Sequence, residues 1–530
     1  MEIHLNLNGI WRKNDRYWTF SIGGGHAALA LRGDYQKLAG EVCRALGFQR
    51  LRFHGILNDD MQVVTTFDSL LRVPKARKVK TISFYQVGQV YDALLENGIT
   101  PFVEIGFMPE ALASKKKRVF YYKANVSKPK YDEEWEKLIE EFIRFLVHRY
   151  GDKVVETWYF EVWNEPDLKG FFWTGTKEDY FHFYKLTVEA IRRVLPHARV
   201  GGPSTSQNRW LREFREYCDK EDLPLSFLST HHYPGDDIGL PIFTMENVKR
   251  LLFTAKNHQG ESVHTVFHKM MVRENILPLI RKDSMHKQMM QAHVEAAGVP
   301  LYYTEWNVNP TCTHPIHDKC ASAAFIVKHV MDGQYLMKGC SFFTFSDIFE
   351  ENTFFSQPFS GSFGLTTIHG IPKPSYWAFY LLNRLQGYRL SLPLTHEHVE
   401  YAVFGEKHTL QVIVYAQEYV QDDRVEEVHL HLTSEWHPVA CTYMSVNPED
   451  HDPRTIWEAM GSPMYLQPSQ VAEIKRLSRV VERELPFYQN NKGSHVSFTL
   501  RTNEVVLITL KMKEDLDEYI AKTKEATPDE

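Results

Sequence analysis

Eight short apolar or β-branched runs, each separated from the next by a stretch of helical periodicity, limit this chain to very few architectures. The runs are Thr19–Gly23, Arg50–Gly55, Thr100–Gly106, Glu156–Trp163, Ala198–Pro203, Leu225–His231, Leu301–Trp306 and Cys340–Asp347. Between the third and fourth, Trp135, Leu138, Ile139, Phe142 and Leu146 recur at helical spacing behind an acidic first turn, Asp132-Glu-Glu, which suits the positive end of a helix dipole. Between the fourth and fifth, Thr176-x-x-Asp179 opens a segment carrying Tyr180, Tyr184, Val188, Ile191 and Leu195 on one face, and the segment ends before Pro196. Strands alternating with helices pair in parallel through right-handed crossovers, and eight such units close a (β/α)8 barrel. The competitor is a doubly wound open sheet. Its Gly-x-Gly-x-x-Gly phosphate turn follows none of the runs, and Gly23-Gly-Gly25 lacks the third glycine at the required spacing. The expected fold is therefore α/β: a (β/α)8 TIM barrel over 15–387 with a helical insertion at about 236–296.

From residue 388 the pattern becomes short alternating runs separated by turns, among them Val399–Phe404, Leu410–Tyr415, Val428–Leu432, Cys441–Val446, His495–Leu500 and Val505–Leu510. This predicts an accessory antiparallel β-sandwich over 388–512, interrupted by helix at 454–485. Residues 1–14 hold an alternating strand expected to join that sandwich, and 513–530 form a charged tail.

Catalytic groups in such a barrel gather at the C-terminal ends of its strands, where the βα loops converge. Polar residues crowd six of these ends: His26, His54, Asn164-Glu165-Pro-Asp167, His231-His-Tyr233, Glu305-Trp-Asn307 and Asp347 with Glu350 and Glu351. Glu165 precedes a proline that cannot extend the ladder, so it sits at the rim of strand four. Glu305 holds the matching position on strand seven. Two carboxyls facing each other across a cleft are the machinery of glycoside hydrolysis, and their mutual repulsion keeps one protonated to serve as the acid.

The chain resembles glycoside hydrolase family 39, whose best-known bacterial members are β-xylosidases. The resemblance rests on Leu51-Arg-Phe-His-Gly, Pro101-Phe-Val-Glu-Ile-Gly-Phe-Met-Pro, Phe160-Glu-Val-Trp-Asn-Glu-Pro-Asp, Ser229-Thr-His-His-Tyr-Pro, Tyr303-Thr-Glu-Trp-Asn and Thr344-Phe-Ser-Asp-Ile-Phe-Glu-Glu, in family order. It implies Glu165 as acid/base and Glu305 as nucleophile of a retaining exo-glycosidase, with xylose released from short xylo-oligosaccharides by double displacement. It also implies that Asn164 binds the sugar 2-hydroxyl and that His54, His231, Tyr233, Trp306, Glu350 and Glu351 line the subsite. It further implies a homotetramer. The family commonly has Glu-Tyr-Asn where this chain has Glu305-Trp-Asn307, and that departure bears on which sugar is accepted. α-L-Arabinosides and β-galactosides stand as alternative substrates.

Two other function classes are weighed against this one. A metal-dependent barrel hydrolase would use His54, His231, His232 and Asp347; a non-catalytic carbohydrate binder would have no need of both glutamates. No metal or other cofactor is expected. Cys312-x-His314-x-x-His317-x-x-Cys320 offers four potential zinc ligands but is too compact for paired Cys-x-x-Cys clamps, and it reads as loop histidines and buried thiols. His429 and His431 share one face of a sandwich strand, an arrangement expected to be structural. Glu104 is expected to pair with Arg52 on the adjacent strand.

Lys plus Arg total 61 against 67 Asp plus Glu, which denies the chain the basic excess of a nucleic-acid binder. No run approaches the 18 or so apolar residues of a bilayer span. Six scattered cysteines make no disulfide framework, and the alternating N-terminal segment lacks a signal core, so the expected location is the cytoplasm. The expected partner is a small oligosaccharide or glycoside.

Overall fold

A computed structural model describes residues 1–66, 80–235, 280–351, 357–395, 397–420 and 422–525. The part of the expected insertion from 236 to 279 lies outside these residues, as does the tail beyond 525; 284–296 is helical, and the tail begins as the helix Leu516–Glu525.

The eight runs form a closed, all-parallel barrel: β1 (Ser21–His26), β2 (Arg50–His54), β3 (Thr100–Ile105), β4 (Tyr159–Val162), β5 (Arg199–Thr205), β6 (Phe227–His231), β7 (Leu301–Trp306) and β8 (Gly339–Phe342). Each strand neighbours the next in sequence, and β8 closes on β1. The helices fall where the periodicity places them. Asp132–Tyr150 buries Trp135, Leu138, Ile139, Phe142 and Leu146 against the barrel. Lys177–Val194 starts with a reciprocal capping box: Thr176 Oγ1 accepts from the Asp179 amide, and the Asp179 carboxylate accepts from the Thr176 amide.

The barrel interior is filled in layers. At its N-terminal end Phe20, Phe102, Phe227 and Tyr302 make an aromatic plug, with the Arg50 guanidinium 4.5 Å over the Phe20 ring. One pleat higher, Arg52, Glu104, Glu161 and Thr304 point inward and form a buried ionic layer. The rim residues stand above it.

Beyond the barrel, two sheets pack face to face. One orders Glu2–Leu5, Val425–Thr433, Gly493–Arg501 and Phe487–Asn490; the other runs from Trp11–Lys13 through Tyr388–Leu390, Glu400–Glu406, Thr409–Tyr415, Val505–Met512 and Pro438–Val446 to Arg483–Glu484. The N-terminal segment thus serves both sheets. Its first strand runs parallel to Val425–Thr433, an exception to the antiparallel pairing expected of the sandwich. The helices Pro453–Ala459 and Pro468–Leu477 interrupt the sandwich and pack Trp457 and Ile474 on Phe359 and Ile371 of the loops after β8.

Candidate active site

Departures from regular pleating cluster at the C-terminal ends of the strands, and they aim the site. Between β6 and β7 the register runs Thr230↔Tyr303 and then His231↔Glu305, so Thr304 is an extra residue opposite none. This bulge resets the alternation. Tyr302 and Thr304 face the interior, Glu305 faces it too, and Trp306 turns outward. Trp306 is buried between the barrel wall and the helix Cys320–Gly333, 6.0 Å from the Phe325 ring and 5.2 Å from Phe342. The expectation that Trp306 lines the sugar subsite is thereby corrected: a packing position on the far side of the strand cannot reach a ligand in the cleft. On β4 the chain leaves the ladder through Trp163 and Glu165, both with positive φ (73° and 44°), and the Glu165 amide donates to Ser204 O at 2.8 Å. Non-glycine residues in this region cost about 1–3 kcal/mol each and survive only where neighbours hold them.

The two glutamates meet. One carboxylate oxygen each from Glu165 and Glu305 and a ring nitrogen of His231 lie within 4.8 Å of one another. Glu165 and Glu305 retain 9% and 8% of their surface, enough to reach the cleft from an otherwise closed wall. Tyr233 donates its hydroxyl to Glu305 Oε1 at 2.5 Å. On the other side of that carboxylate, Arg52 Nη1 and His54 Nε2 stand 3.6 and 3.7 Å from Oε2.

Arg52 is the hub. Although 1% exposed, it donates to Glu161 Oε2 (2.7 Å), Asn164 Oδ1 (3.0 Å) and Ser204 Oγ (3.3 Å), and it pairs with Glu104 Oε2 at 2.8 Å, as the sequence reading expects. Glu104 Oε2 also lies 2.6 Å from His54 Nδ1. Burial pulls the His54 imidazole down, but the Glu104 charge and hydrogen bond outweigh it and lift the pKa to about 9. Two buried carboxylates are therefore matched by two buried cations, the arrangement that makes such burial tolerable.

His231 has the opposite character. Burial, reinforced by the nearby Arg52 charge, holds it down at about 4, so it is neutral at pH 7. Its Nε2 lies 3.4 Å from Arg52 Nη2, which can only donate. The ring proton therefore sits on Nδ1 and is donated to Glu165 Oε1 at 3.0 Å. Burial first, and then the Glu305 charge, raises the Glu165 carboxyl well above the ordinary carboxylate range. The two carboxyls thus differ by environment: one sits beside cations and a phenol, the other beside a neutral imidazole in a desolvated wall. The two carboxyls are therefore electrostatically unequal.

Asn164, His54, His231, Tyr233 and Glu351 stand around the pair. The Glu351 carboxyl, 3.8 Å from His54 Nε2, is pushed up to about 8, chiefly by burial. Glu350 is half-buried on the side of His26 and Asp60. There His26 Nε2 meets Asp60 Oδ2 at 2.5 Å and its ring stacks on Tyr122 at 3.6 Å.

The four residues of the metal-hydrolase alternative are not brought together. His232 lies near His329, and Asp347 is held by Lys373 Nζ at 2.7 Å, which also grips Asp318. In the 312–320 loop both His317 nitrogens lie against backbone carbonyls, Gly361 O at 2.7 Å and Asn309 O at 3.0 Å, while Cys312 packs with Phe343, Phe349 and Phe363. Arg52, Glu161 and Ser204 were missed as site members by sequence reasoning. A charged residue in mid-strand, such as Glu161 between Phe160 and Val162, is the signal that could have found the ionic layer.

A closed parallel barrel with a close carboxyl pair at the C-terminal rims of its fourth and seventh strands is the architecture of a retaining glycoside hydrolase. Comparison with known proteins agrees. The profile of glycosyl hydrolases family 39 matches residues 1–271 and 245–494. A beta-xylosidase of Caldicellulosiruptor saccharolyticus is 37% identical over 516 residues, 96% of this chain and 98% of that protein. A beta-xylosidase of Geobacillus stearothermophilus is 29% identical over 517 residues, 97% and 96% of the two chains. The crystal structure of a monomeric beta-xylosidase from Caulobacter crescentus CB15 superposes with a TM-score of 0.77 at 30% identity, covering 97% of this chain and all of that one. The chain belongs to glycosyl hydrolases family 39 and is a glycoside hydrolase.

Proposed function

We propose that this enzyme is a retaining β-xylosidase that releases xylose from short xylo-oligosaccharides, with Glu305 as nucleophile and Glu165 as acid/base. The observation that carries the mechanism is the carboxylate spacing. Oxygens within 4.8 Å of each other suit direct attack on the anomeric carbon, whereas inversion needs about 6.5–9.5 Å to admit a water between carboxyl and sugar. Glu305 attacks C1 as Glu165 gives its proton to the departing oxygen, through an oxocarbenium-like transition state. Glu165, now a carboxylate, then takes a proton from the water that releases the sugar from Glu305. Tyr233, Arg52 and His54 hold the Glu305 carboxylate in place and offset its charge when it leaves. Asn164 has its carbonyl oxygen engaged by Arg52, which orients its amide nitrogen to donate to the sugar 2-hydroxyl. Xylose as the sugar is supported by the names of both long-matching relatives.

A 2-fluoro-xyloside with a good leaving group should trap the enzyme, and peptide mapping should place the label on Glu305. A label elsewhere overturns the assignment. A panel of aryl β-xyloside, α-L-arabinoside and β-galactoside should give the highest kcat/KM for the xyloside, and preference for another sugar overturns that part alone. A cytoplasmic location belongs to the same proposal, supported by six cysteines that are all buried free thiols. So does the homotetramer implied by the resemblance, which light scattering on the eluting protein decides against a monomer.

A further inference from the structure

On the outer face of the four-stranded sheet, three imidazoles stand in a row across adjacent strands. His4 is opposite His431 in the parallel pair, and His431 is opposite His495 in the antiparallel pair. Their neighbours Ile3, Leu5, Leu430, Leu432 and Val496 point into the sandwich core, so alternation puts all three rings on the same outward face. The His4 and His431 rings stack with centroids 4.7 Å apart and planes 20° from parallel. Glu2 shares that face, two residues before His4, and its carboxylate meets His431 Nε2, although the two residues are 429 positions apart in the chain. One donor atom each from Glu2, His4 and His431 lies within 4.8 Å of the others. Behind them, His431 Nδ1 is 2.6 Å from His495 Nδ1.

We propose that Glu2, His4 and His431 form a surface site for a divalent transition metal of the zinc type, with His495 as the positioning partner of His431. Two imidazole nitrogens and a carboxylate oxygen are a donor set that zinc, copper and nickel accept, and magnesium and calcium do not favour. Zinc bonds of about 2.0–2.2 Å place tetrahedral donors roughly 3.3 Å apart, a short closing movement from the present spacing. His495 accepts the Nδ1 proton of His431, which leaves a lone pair on Nε2. The ion then sits between that lone pair and the Glu2 carboxylate, in place of their direct contact. Such an ion ties the strand that precedes the barrel to the strand Val425–Thr433, so it staples the first residues of the chain to the sandwich. The site is separate from the Glu165–His231–Glu305 trio, and its loading leaves hydrolysis unchanged.

The test is a zinc titration of the chelator-stripped full chain, read by calorimetry and by thermal unfolding, with cobalt substitution to report coordination geometry. The wild type should bind one zinc per chain at micromolar concentration, raise its Tm on binding, and give the absorption bands of a tetrahedral cobalt site. His4→Ala and His431→Ala should each weaken binding by about tenfold or more and abolish the Tm rise, with aryl-glycoside turnover unchanged. Glu165→Gln should bind zinc as the wild type does. Absence of binding, binding unaffected by both histidine variants, or binding lost in Glu165→Gln and kept in His431→Ala would each overturn the proposal.

Discussion

Replacing Glu165 by alanine separates the two jobs assigned to it. Burial and the Glu305 charge push this carboxyl well above the ordinary carboxylate range, with the neutral His231 ring fixed against it at 3.0 Å. A positioned general acid is worth typically about 10²–10⁴-fold, which is roughly 2.7–5.4 kcal/mol of barrier at 1.36 kcal/mol per decade. That contribution is needed only where the departing oxygen cannot leave as an anion. For xylobiose, whose leaving group is a sugar alcohol, Glu165→Ala should lose the whole factor in kcat/KM. For a dinitrophenyl xyloside, whose phenoxide leaves unaided, kcat/KM should stay within about tenfold of wild type. Removal of the base for the second step should then make the glycosyl-enzyme accumulate, so kcat and KM fall together and a burst of phenoxide precedes the steady state. The assay is a series of aryl xylosides of graded leaving-group acidity with xylobiose at its end. Equal losses across the series, or retained activity on xylobiose, would refute the reasoning.

Three further outcomes follow from the same geometry. Arg52→Met strands Glu104 and Glu161 in the barrel, so urea unfolding should show a loss of about 3–5 kcal/mol at pH 7. Adding Glu161→Gln should recover part of it, and no recovery would contradict the stranded-charge account. His54 has a folded-state pKa of about 9, above the ordinary value near 6.5. Its contribution is therefore complete below pH 6.5 and lost as pH rises through about 9, so stability measured across that window should fall in the wild type and flatten in His54→Gln. Trp306→Ala opens a cavity behind the barrel wall and should cost about 3–5 kcal/mol of stability, while the folded fraction keeps its KM. A raised KM with unchanged stability would return Trp306 to the cleft.

The barrel and the order of its strands are written in the chain's local pattern. Eight apolar runs with helical intervals leave one closed parallel sheet as the way to bury them all, and each run appears as a strand in its place. The placement of the two rim carboxyls was legible as well. Glu165 before Pro166 and Glu305 at the end of a strand are legible because the C-terminal ends of barrel strands converge wherever the fold closes. The direction of the residues after a bulge is set by folding, not by local pattern. Strict alternation from Tyr302 sends Glu305 outward and Trp306 inward; the extra residue at Thr304 does the reverse, and a bulge depends on the partner strand's register, which no local pattern records. The charge network is likewise a property of closure. Arg52, Glu104, Glu161 and His231 come from four strands spread over 179 positions of chain, and their contacts exist only once closure brings them within a few ångströms in a desolvated interior.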